Sequence, residues 1–320
     1  MIIRTAQALV VSAPNAMSLT DVRLRELKSD EVLVRTRYTS ISAGTERLLM
    51  AGHLVEMAGL PFPCIPGYET VGEIVEVGED VSPNYVGEMA FIGGSYGYEN
   101  VTPAWGGQSS YISADYRKTY LLNGIDPVSA VAVAPAATSY HGIELINPQP
   151  GEIVLILGQG PIGQLAAQFA KLKGATVVVS DTVQDRLDRS IAADVKINVS
   201  TDTLKDKLPG KVDVLIDATG KMEVISASVT ALRERARVLL LGFYRKIELD
   251  FAWPFLKELS FHASREWGAE DIPAVIEALA SGDIKTDYLF THRYPFTSYQ
   301  EAYTAALHNP YCLKALLEWG

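Results

Sequence analysis

The chain has 320 residues, of which 48% are hydrophobic and 21% charged, a composition typical of globular proteins and sufficient for two domains. Its formal net charge of −10, without any cluster of lysine and arginine, argues against binding to nucleic acid or to anionic membrane surfaces. The only two cysteines, Cys64 and Cys312, predict neither a disulfide framework nor a zinc knuckle and fit a reducing compartment. The N-terminus is too short and polar for a signal peptide or a membrane span, so we expect a cytoplasmic protein.

Residues 1–128 contain short apolar runs that are interrupted by glycine and proline. Runs of this length with frequent turn residues are typical of strands in a compact, barrel-like β-rich domain. The predicted strands are MIIRTAQALVVSAP, EVLVRTRYTSIS, VGEIVEVG, MAFIGG and SSYISA.

Residues 129–265 follow a different pattern, in which apolar strands alternate with helices. A long helix, PVSAVAVAPAATSYHGIELI, leads into this region, and the strands IVLILG, TVVVSD, KINV, VDVLIDATG and RVLLLGFY follow. Nearly continuous valine, isoleucine and leucine indicate a doubly wound parallel sheet, so the predicted fold class is α/β. Residues 266–320 add helix, strand, helix and strand, and we assign them with 1–128 to the first domain.

The motif Gly158-Gln159-Gly160-Pro161-Ile162-Gly163 directly follows the strand IVLIL and begins the helix PIGQLAAQFAKL. This context makes the glycine spacing specific for a dinucleotide-binding loop. Gly158 permits the tight turn, Gly160 lets the backbone approach a pyrophosphate, and Gly163 lets helix and strand pack closely. Pro161 and Ile162 start the helix whose N–H groups face the pyrophosphate.

Asp181 ends the second strand of this region and predicts NAD rather than NADP, because a carboxylate there binds the ribose hydroxyls and repels a 2′-phosphate. Arg186 follows on the next helix, and the sequence leaves open whether its side chain stacks near the adenine or faces solvent. Two further strands end at Asp217-Ala218-Thr219-Gly220 and at Gly242-Phe243-Tyr244. Because ligands bind beyond the carboxyl ends of parallel strands, we expect these loops to contact the nicotinamide half, chiefly through Thr219, Gly242 and Phe243.

The order of a β-rich domain, a Rossmann unit and a short tail resembles the medium-chain dehydrogenase/reductase family. PFPCIPGYETVGEIVEVGEDV resembles its signature segment, with Gly67-Tyr68-Glu69 where members usually have Gly-His-Glu. Ser42-Ala43-Gly44-Thr45-Glu46 resembles its Cys-Gly-Ser/Thr-Asp segment. The resemblance covers essentially the whole chain and implies that the first domain is GroES-like and catalytic.

Departures from the family pattern imply a zinc-free member. The positions of the catalytic zinc ligands correspond to Ala43, Tyr68 and approximately Ala134, none of which is an ordinary zinc ligand. Residues 90–105, where members with a structural zinc have four cysteines, contain none. We therefore predict no metal.

Without zinc, side chains must remove the hydroxyl proton during oxidation of an alcohol. The resemblance implies that Thr45 contacts the reacting oxygen and that Tyr68 and Glu69 lie beside it. Tyr68 acts as acid/base if its pKa is depressed, and otherwise fills the space of the metal. Glu69 either orients Tyr68 or Thr45 or forms a structural ion pair. Three more side chains either assist catalysis or only pack against their neighbours: Glu46, His53 and His141.

Several short segments resemble a branch of the family that uses NAD to oxidise the 3-(1-hydroxyethyl) group of a bacteriochlorophyllide precursor to acetyl, in bacteriochlorophyll a biosynthesis. These segments are ISAGTERLLMAG, IPGYETVGE, LLLGFYRK, SREW and NPYCLKALLEW. A flat chlorin substrate needs an aromatic pocket and one cation. The candidates are Tyr96, Tyr98 and Trp105 in a glycine-rich segment, Trp267, His141, and Arg47 for the propionate, with packing or a surface ion pair as the competing roles.

Other functions stay open. A zinc-free quinone or enone reductase has the same fold but usually prefers NADPH, which Asp181 disfavours. Oxidation of another secondary alcohol, a zinc-dependent polyol dehydrogenase and a non-catalytic dinucleotide-binding protein are further alternatives. The resemblance also implies a homodimer.

Overall fold

The computed structural model describes residues 5–320, so the first four residues of the predicted N-terminal strand lie outside it. The described chain divides into two compact units. The first comprises the residues up to Ala134 together with Leu289–Gly320, and the second is Pro135–Tyr288. The predicted boundaries at 128 and 265 therefore differ from those of the structure, by a few residues at the first and by a whole helix at the second.

Strands predominate up to residue 121, and helices and strands alternate from residue 127 onward. The strands are β1 (Thr5–Ala13), β2 (Ala16–Arg23), β3 (Glu31–Ser40), β4 (Cys64–Ile65), β5 (Thr70–Val77), β6 (Met89–Ile92), β7 (Thr102–Pro103), β8 (Tyr111–Asp115), β9 (Thr119–Leu121), β10 (Ile153–Leu157), β11 (Thr176–Asp181), β12 (Val195–Asn198), β13 (Val212–Asp217), β14 (Leu232–Leu240), β15 (Ser260–Ala263), β16 (His292–Pro295) and β17 (Ala315–Glu318). The helices are α1 (Ala43–Met50), α2 (His53–Ala58), α3 (Pro127–Ala130), α4 (Val133–Ile146), α5 (Pro161–Leu172), α6 (Gln184–Asp188), α7 (Leu204–Lys207), α8 (Met222–Ser228), α9 (Ala252–Leu256), α10 (Asp271–Ser281) and α11 (Tyr299–His308).

The first unit is β-rich, as predicted. One sheet has the order β2-β1-β4-β7, and the other has the order β16-β17-β3-β5-β6-β9, with β8 also paired to β3. Side chains from several strands meet in one core cluster, for example Val32, Val34, Ile74 and Ile112, all of which are fully buried. The C-terminal strand β17 pairs antiparallel with β3, so the end of the chain completes this unit.

The second unit contains one parallel sheet with the strand order β12-β11-β10-β13-β14-β15. Numbered within the unit, this is the order 3-2-1-4-5-6 of a Rossmann fold, which confirms the predicted class. The central strand is buried on both faces, which explains why it contains no polar residue. The edge strand β15 was not predicted from the sequence.

The predicted helix over residues 127–146 forms as two helices, α3 and α4, and Pro135 gives the physical reason. Proline has no backbone N–H and its ring clashes with the carbonyl four residues earlier in a continuous helix. The break before Val133 places Pro135 in the first turn of α4, where no such bond is needed. The end of α5 agrees with the sequence, since Gly174 has a φ of +80° just beyond it.

Polar contacts attach residues 271–285 to the Rossmann unit and account for the later domain boundary. Asp271 at the start of α10 pairs with His141 on α4 at 2.8 Å. The Gln168 side chain on α5 donates to the Lys285 carbonyl at 2.9 Å and accepts from its N–H at 2.8 Å. Sequence periodicity contains no information on these contacts.

None of the helices within residues 5–320 has the length and apolar character needed to cross a membrane.

Candidate active site and dinucleotide site

Three hydroxyl groups meet in the first unit. The Tyr68 hydroxyl lies 2.5 Å from Ser42 Oγ and 3.0 Å from Thr45 Oγ1. Ser42 directly precedes α1 and Thr45 lies in its first turn, whereas Tyr68 lies between β4 and β5. The sequence predicted that Thr45 and Tyr68 share a site, but it did not single out Ser42.

Burial raises the pKa of Tyr68, and the neighbouring Glu69 carboxylate raises it further. The phenol therefore keeps its proton at neutral pH, and the alternative in which a depressed pKa makes Tyr68 a base is wrong. Its ring packs edge-on against Trp105, with the centroids 5.3 Å apart. Trp105 therefore lies beside Tyr68, and its role in a substrate pocket stays a prediction.

Glu69 is 1% exposed and forms an ion pair with Lys314, which is 4% exposed, at a distance of 2.6 Å between Nζ and Oε2. The Ser40 hydroxyl donates to the same carboxylate oxygen. Of the two roles considered for Glu69, the structure contains the ion pair. Lys314 was missed, although a single lysine in the apolar segment CLKALLEW is a signal, since lysine is rarely buried without a partner.

Glu46 is a second buried carboxyl group, 1% exposed. The Ser42 backbone N–H donates to Oε1 at 3.0 Å, and the Tyr303 hydroxyl donates to Oε2. Burial raises the pKa of Glu46 to about 7. Glu46 thereby holds the loop that contains Ser42, an accessory role consistent with its position beside Thr45. Tyr303, on α11, has no sequence feature that pointed to this contact.

The other proposed substrate residues of this unit do not all meet the expectation. Tyr98 is buried in the core and donates to the Gly106 carbonyl at 2.5 Å, so of its two candidate roles the structure contains packing. The Arg47 guanidinium donates to the Leu307 carbonyl at 2.7 Å on the surface, so the partner in this bond is a neutral backbone group and not an anion. Tyr96 is 66% exposed.

The glycine-rich loop of the second unit has the geometry that the motif predicts. Gly158 has a φ of +88°, which favours glycine. A Cβ on Gly163 would lie 1.9 Å from the Gly158 carbonyl oxygen, so helix and loop touch there. A Cβ on Gly160, which precedes α5, would meet no atom within 4 Å. The open space at Gly160 fits the approach of a pyrophosphate to the N-terminus of α5, where Pro161 and Ile162 lie.

Asp181, the last residue of β11, contacts this loop directly. Its carboxylate accepts from the Gln159 N–H at 2.7 Å and from the Val183 N–H at 2.9 Å. The side chain is 9% exposed, and these bonds fix its orientation. Next to it, a cavity of about 900 Å³ is lined by the strand-end residues Leu157 and Ser180 and by parts of α7 and α8. No motif or periodicity of the sequence indicated this cavity.

The loops after β13 and β14 are tied together by one buried carboxylate. Asp217 accepts from the Thr219 hydroxyl at 2.6 Å, from the Gly220 N–H at 2.9 Å and from the Tyr244 hydroxyl. A Cβ on Gly242 would lie 2.4 Å from the Gly220 nitrogen. The structure therefore brings Thr219 and Gly242 together, whereas Phe243 beside them is 48% exposed. His141 lies elsewhere in this unit, where Asp271 is its partner.

The residues at the family's zinc positions do not fit a metal ion. Ala43 and Ala134 have no side-chain ligand atom, and the Tyr68 hydroxyl, whose pKa is raised by burial, is hydrogen-bonded to Ser42 and Thr45. Within residues 5–320, no three histidine, cysteine, aspartate or glutamate side chains stand close enough to hold a metal.

Both units of the chain match the models of known protein families. Residues 28–124 match the alcohol dehydrogenase GroES-like domain, and residues 161–281 match the family described as zinc-binding dehydrogenase. A 2-desacetyl-2-hydroxyethyl bacteriochlorophyllide A dehydrogenase from Rhodobacter capsulatus is 30% identical over 318 residues, which cover 98% of each chain. This chain belongs to the medium-chain dehydrogenase/reductase family. It is an oxidoreductase with a nicotinamide cofactor.

Other members of the medium-chain dehydrogenase/reductase family show how broad the similarity is. An L-galactonate-5-dehydrogenase from Escherichia coli is 31% identical over 276 residues, covering 78% of this chain and 81% of the relative. The crystal structure of an E. coli alcohol dehydrogenase, RspB, in complex with NADH superposes with a TM-score of 0.86 at 26% identity, covering 99% of this chain and 100% of that one.

Proposed function

We propose that this chain is an NAD-dependent, zinc-independent dehydrogenase of a secondary alcohol. The observation that carries the proposal is the hydroxyl group of Tyr68, held between Ser42 and Thr45 at the position where zinc-dependent members have a metal ligand. Zinc independence is supported by the partners of the two buried carboxyl groups nearby, since Glu46 is bound by Tyr303 and Glu69 by Lys314. The preference for NAD is supported by Asp181, whose fixed carboxylate disfavours a 2′-phosphate.

We further propose that the substrate is the 3-(1-hydroxyethyl) group of a bacteriochlorophyllide precursor, which is oxidised to acetyl. Similarity over 98% of the chain to a bacteriochlorophyllide dehydrogenase supports this substrate. Trp105 beside Tyr68 and exposed Tyr96 supply aromatic surface for a flat ring. A polyol or sugar-acid alcohol is the second candidate, supported by the 31% identity to an L-galactonate-5-dehydrogenase.

In the proposed reaction, Thr45 accepts a hydrogen bond from the substrate hydroxyl and holds its oxygen. NAD supplies the hydride acceptor at C4 of its nicotinamide. The loops fixed by Asp217 orient the nicotinamide half, and the Gly160 loop binds the pyrophosphate. Lys314 balances the Glu69 charge, so that no unpaired carboxylate lies beside the reacting oxygen.

A direct assay tests both proposals. Purified protein is mixed with NAD or NADP and either the 3-hydroxyethyl chlorin or L-galactonate, and the absorbance of NADH and of the chlorin is followed, with and without a zinc chelator. We expect turnover of the chlorin with NAD that chelation does not change. Stoichiometric zinc and loss of activity on chelation would refute zinc independence, and turnover of L-galactonate alone would refute the chlorin substrate.

We also propose that the protein is a cytoplasmic homodimer that pairs through the Rossmann sheet. In support, β15 lies at the edge of that sheet, and Phe251, Phe255 and Leu256 just before it are each at least 67% exposed. Light scattering coupled to size-exclusion chromatography should give a dimer mass. A Phe251→Ser/Phe255→Ser double variant should shift that mass toward the monomer, whereas an unchanged dimer would place the interface elsewhere.

A further inference from the structure

The hydroxyl groups around Tyr68 form a continuous chain of hydrogen bonds. Thr45 Oγ1, the Tyr68 hydroxyl and Ser42 Oγ follow one another at 3.0 and 2.5 Å. Each hydroxyl has one proton to donate and lone pairs to accept another. Such a chain can pass a proton from one end to the other without any member changing its net charge. Ser42 at the far end is only partly buried, so solvent reaches it.

The two carboxyl groups nearby have other partners. The Glu69 carboxylate is bound by Lys314 and by the Ser40 hydroxyl. Glu46 accepts from Tyr303 and from the backbone N–H of Ser42, not from the Ser42 hydroxyl. Neither acid receives a hydrogen bond from Thr45 or Ser42 side chains in this arrangement. The arrangement therefore directs a proton along the hydroxyls to solvent.

We propose that Thr45, Tyr68 and Ser42 form a proton relay, an inference that rests on the proposed oxidation of a secondary alcohol. As the alcohol carbon gives its hydride to NAD, its O–H bond breaks and the proton passes to Thr45. Thr45 passes its own proton to Tyr68, Tyr68 to Ser42, and Ser42 to water. The alcohol becomes a ketone, NAD becomes NADH, and one proton appears in solvent.

Two features hold the relay in position. The Ser42 N–H bond to Glu46 fixes the backbone that carries the last hydroxyl, and Trp105 packs against the Tyr68 ring. The raised pKa of Tyr68 suits a relay member, since a neutral phenol can donate and accept in the same step. Glu46 is thus a positioning residue, whereas the three hydroxyls move the proton.

The test measures hydride transfer in a single turnover, from the NADH absorbance, with the 3-hydroxyethyl chlorin or whichever secondary alcohol the wild-type protein oxidises. Tyr68→Phe removes the middle hydroxyl and should slow hydride transfer about 100-fold at pH 7. Its rate should rise with pH by about tenfold per unit, because hydroxide must then remove the proton. The dissociation constant of NADH should stay unchanged.

Ser42→Ala removes only the exit and should slow the step about tenfold, whereas Ser42→Thr retains a hydroxyl and should restore the rate. In the wild-type protein, deuterium in the solvent and deuterium on the alcohol carbon should slow the same step. In Tyr68→Phe, the solvent isotope effect should lose the contribution that comes from several protons moving in the same step. Tyr111→Phe, a partly buried tyrosine of the same unit that packs against the β-domain core, serves as the matched control.

The outcomes separate the two proposals. If the wild-type protein oxidises the alcohol but Tyr68→Phe and Ser42→Ala retain its rate, pH profile and solvent isotope effect, the relay is refuted and the proposed function stands. If the wild-type protein oxidises no alcohol with NAD, the proposed function is refuted and the relay with it. A rate loss in Ser42→Ala that Ser42→Thr does not restore would show that packing, not the hydroxyl, is responsible.

Discussion

The two units build their candidate sites from different parts of the chain. In the first unit, side chains form the site: a chain of hydroxyls lies beside two buried carboxyl groups, Glu46 and Glu69, and each carboxyl has a partner. In the second unit, the backbone of the glycine-rich loop forms the candidate pyrophosphate site, where glycines leave room for contact or for a ligand, and the Asp181 carboxylate binds to that loop. Charge and proton number therefore determine the first site, whereas the free volume at each glycine determines the loop of the second. Isosteric substitutions test the former, and a single added methyl group tests the latter.

The largest expected effect comes from the buried ion pair of the first unit. Lys314→Met leaves the Glu69 charge buried without its partner and should lower the free energy of unfolding by about 3–5 kcal/mol. Adding Glu69→Gln should restore most of this loss. Urea denaturation of the two single variants and the double variant measures the coupling, with Lys118→Met on the surface as control. A Lys314→Met protein as stable as the wild type would show that the pair is not buried as described.

Glu46 should make stability depend on pH. Because its pKa is about 7 in the folded chain, above the value of about 4.5 for an unburied glutamate, the folded state holds the proton longer than the unfolded state. The contribution of Glu46 to the free energy of unfolding is therefore largest below pH 4.5, and it falls by about 3 kcal/mol as the pH rises to 7. Glu46→Gln should remove this slope in denaturation curves compared from pH 4.5 to 8.

The exposed Glu79→Gln variant controls for the loss of charge as such. If the free energies of unfolding of the wild-type and Glu46→Gln proteins differ by the same amount at every pH, the pKa of Glu46 is not raised in the folded state.

Two glycines of one loop should respond in opposite ways. Gly163→Ala forces a Cβ against the Gly158 carbonyl and should lower stability by about 1–3 kcal/mol. Gly160→Ala places its Cβ in open space, so the melting temperature should hold while NADH affinity falls. Thermal unfolding and NADH fluorescence titration separate the two effects. Equal NADH affinity in Gly160→Ala and the wild type would place the pyrophosphate elsewhere.

The smallest expected effect concerns the choice of cofactor. The Gln159 and Val183 N–H groups bond different oxygens of Asp181, so Asp181→Asn keeps an acceptor for one of them and loses the charge. The ratio of kcat/KM for NAD to that for NADP should fall about tenfold, which corresponds to about 1.4 kcal/mol. Asp188→Asn, an exposed change on the next helix, should leave the ratio as it is. An unchanged ratio in Asp181→Asn would mean that the carboxylate does not select the cofactor.

The sequence by itself determined the parts of this protein whose cause is local. Glycine spacing and apolar runs depend on neighbouring residues, so five of the six Rossmann strands, the Gly158–Gly163 loop and the position of Asp181 followed from the chain alone. Thr45 and Tyr68 came from the family resemblance of their segments.

Only the tertiary structure decided what these residues touch. Lys314 and Tyr303 reach Glu69 and Glu46 from the far end of the chain, because β17 pairs with β3 and α11 packs against β17 and α1. Burial then sets the charge states: it keeps Tyr68 neutral and raises the pKa of Glu46 to about 7. Burial depends on contacts between residues that are distant in sequence, so the hydroxyl chain from Thr45 to Ser42 emerged only from the folded chain.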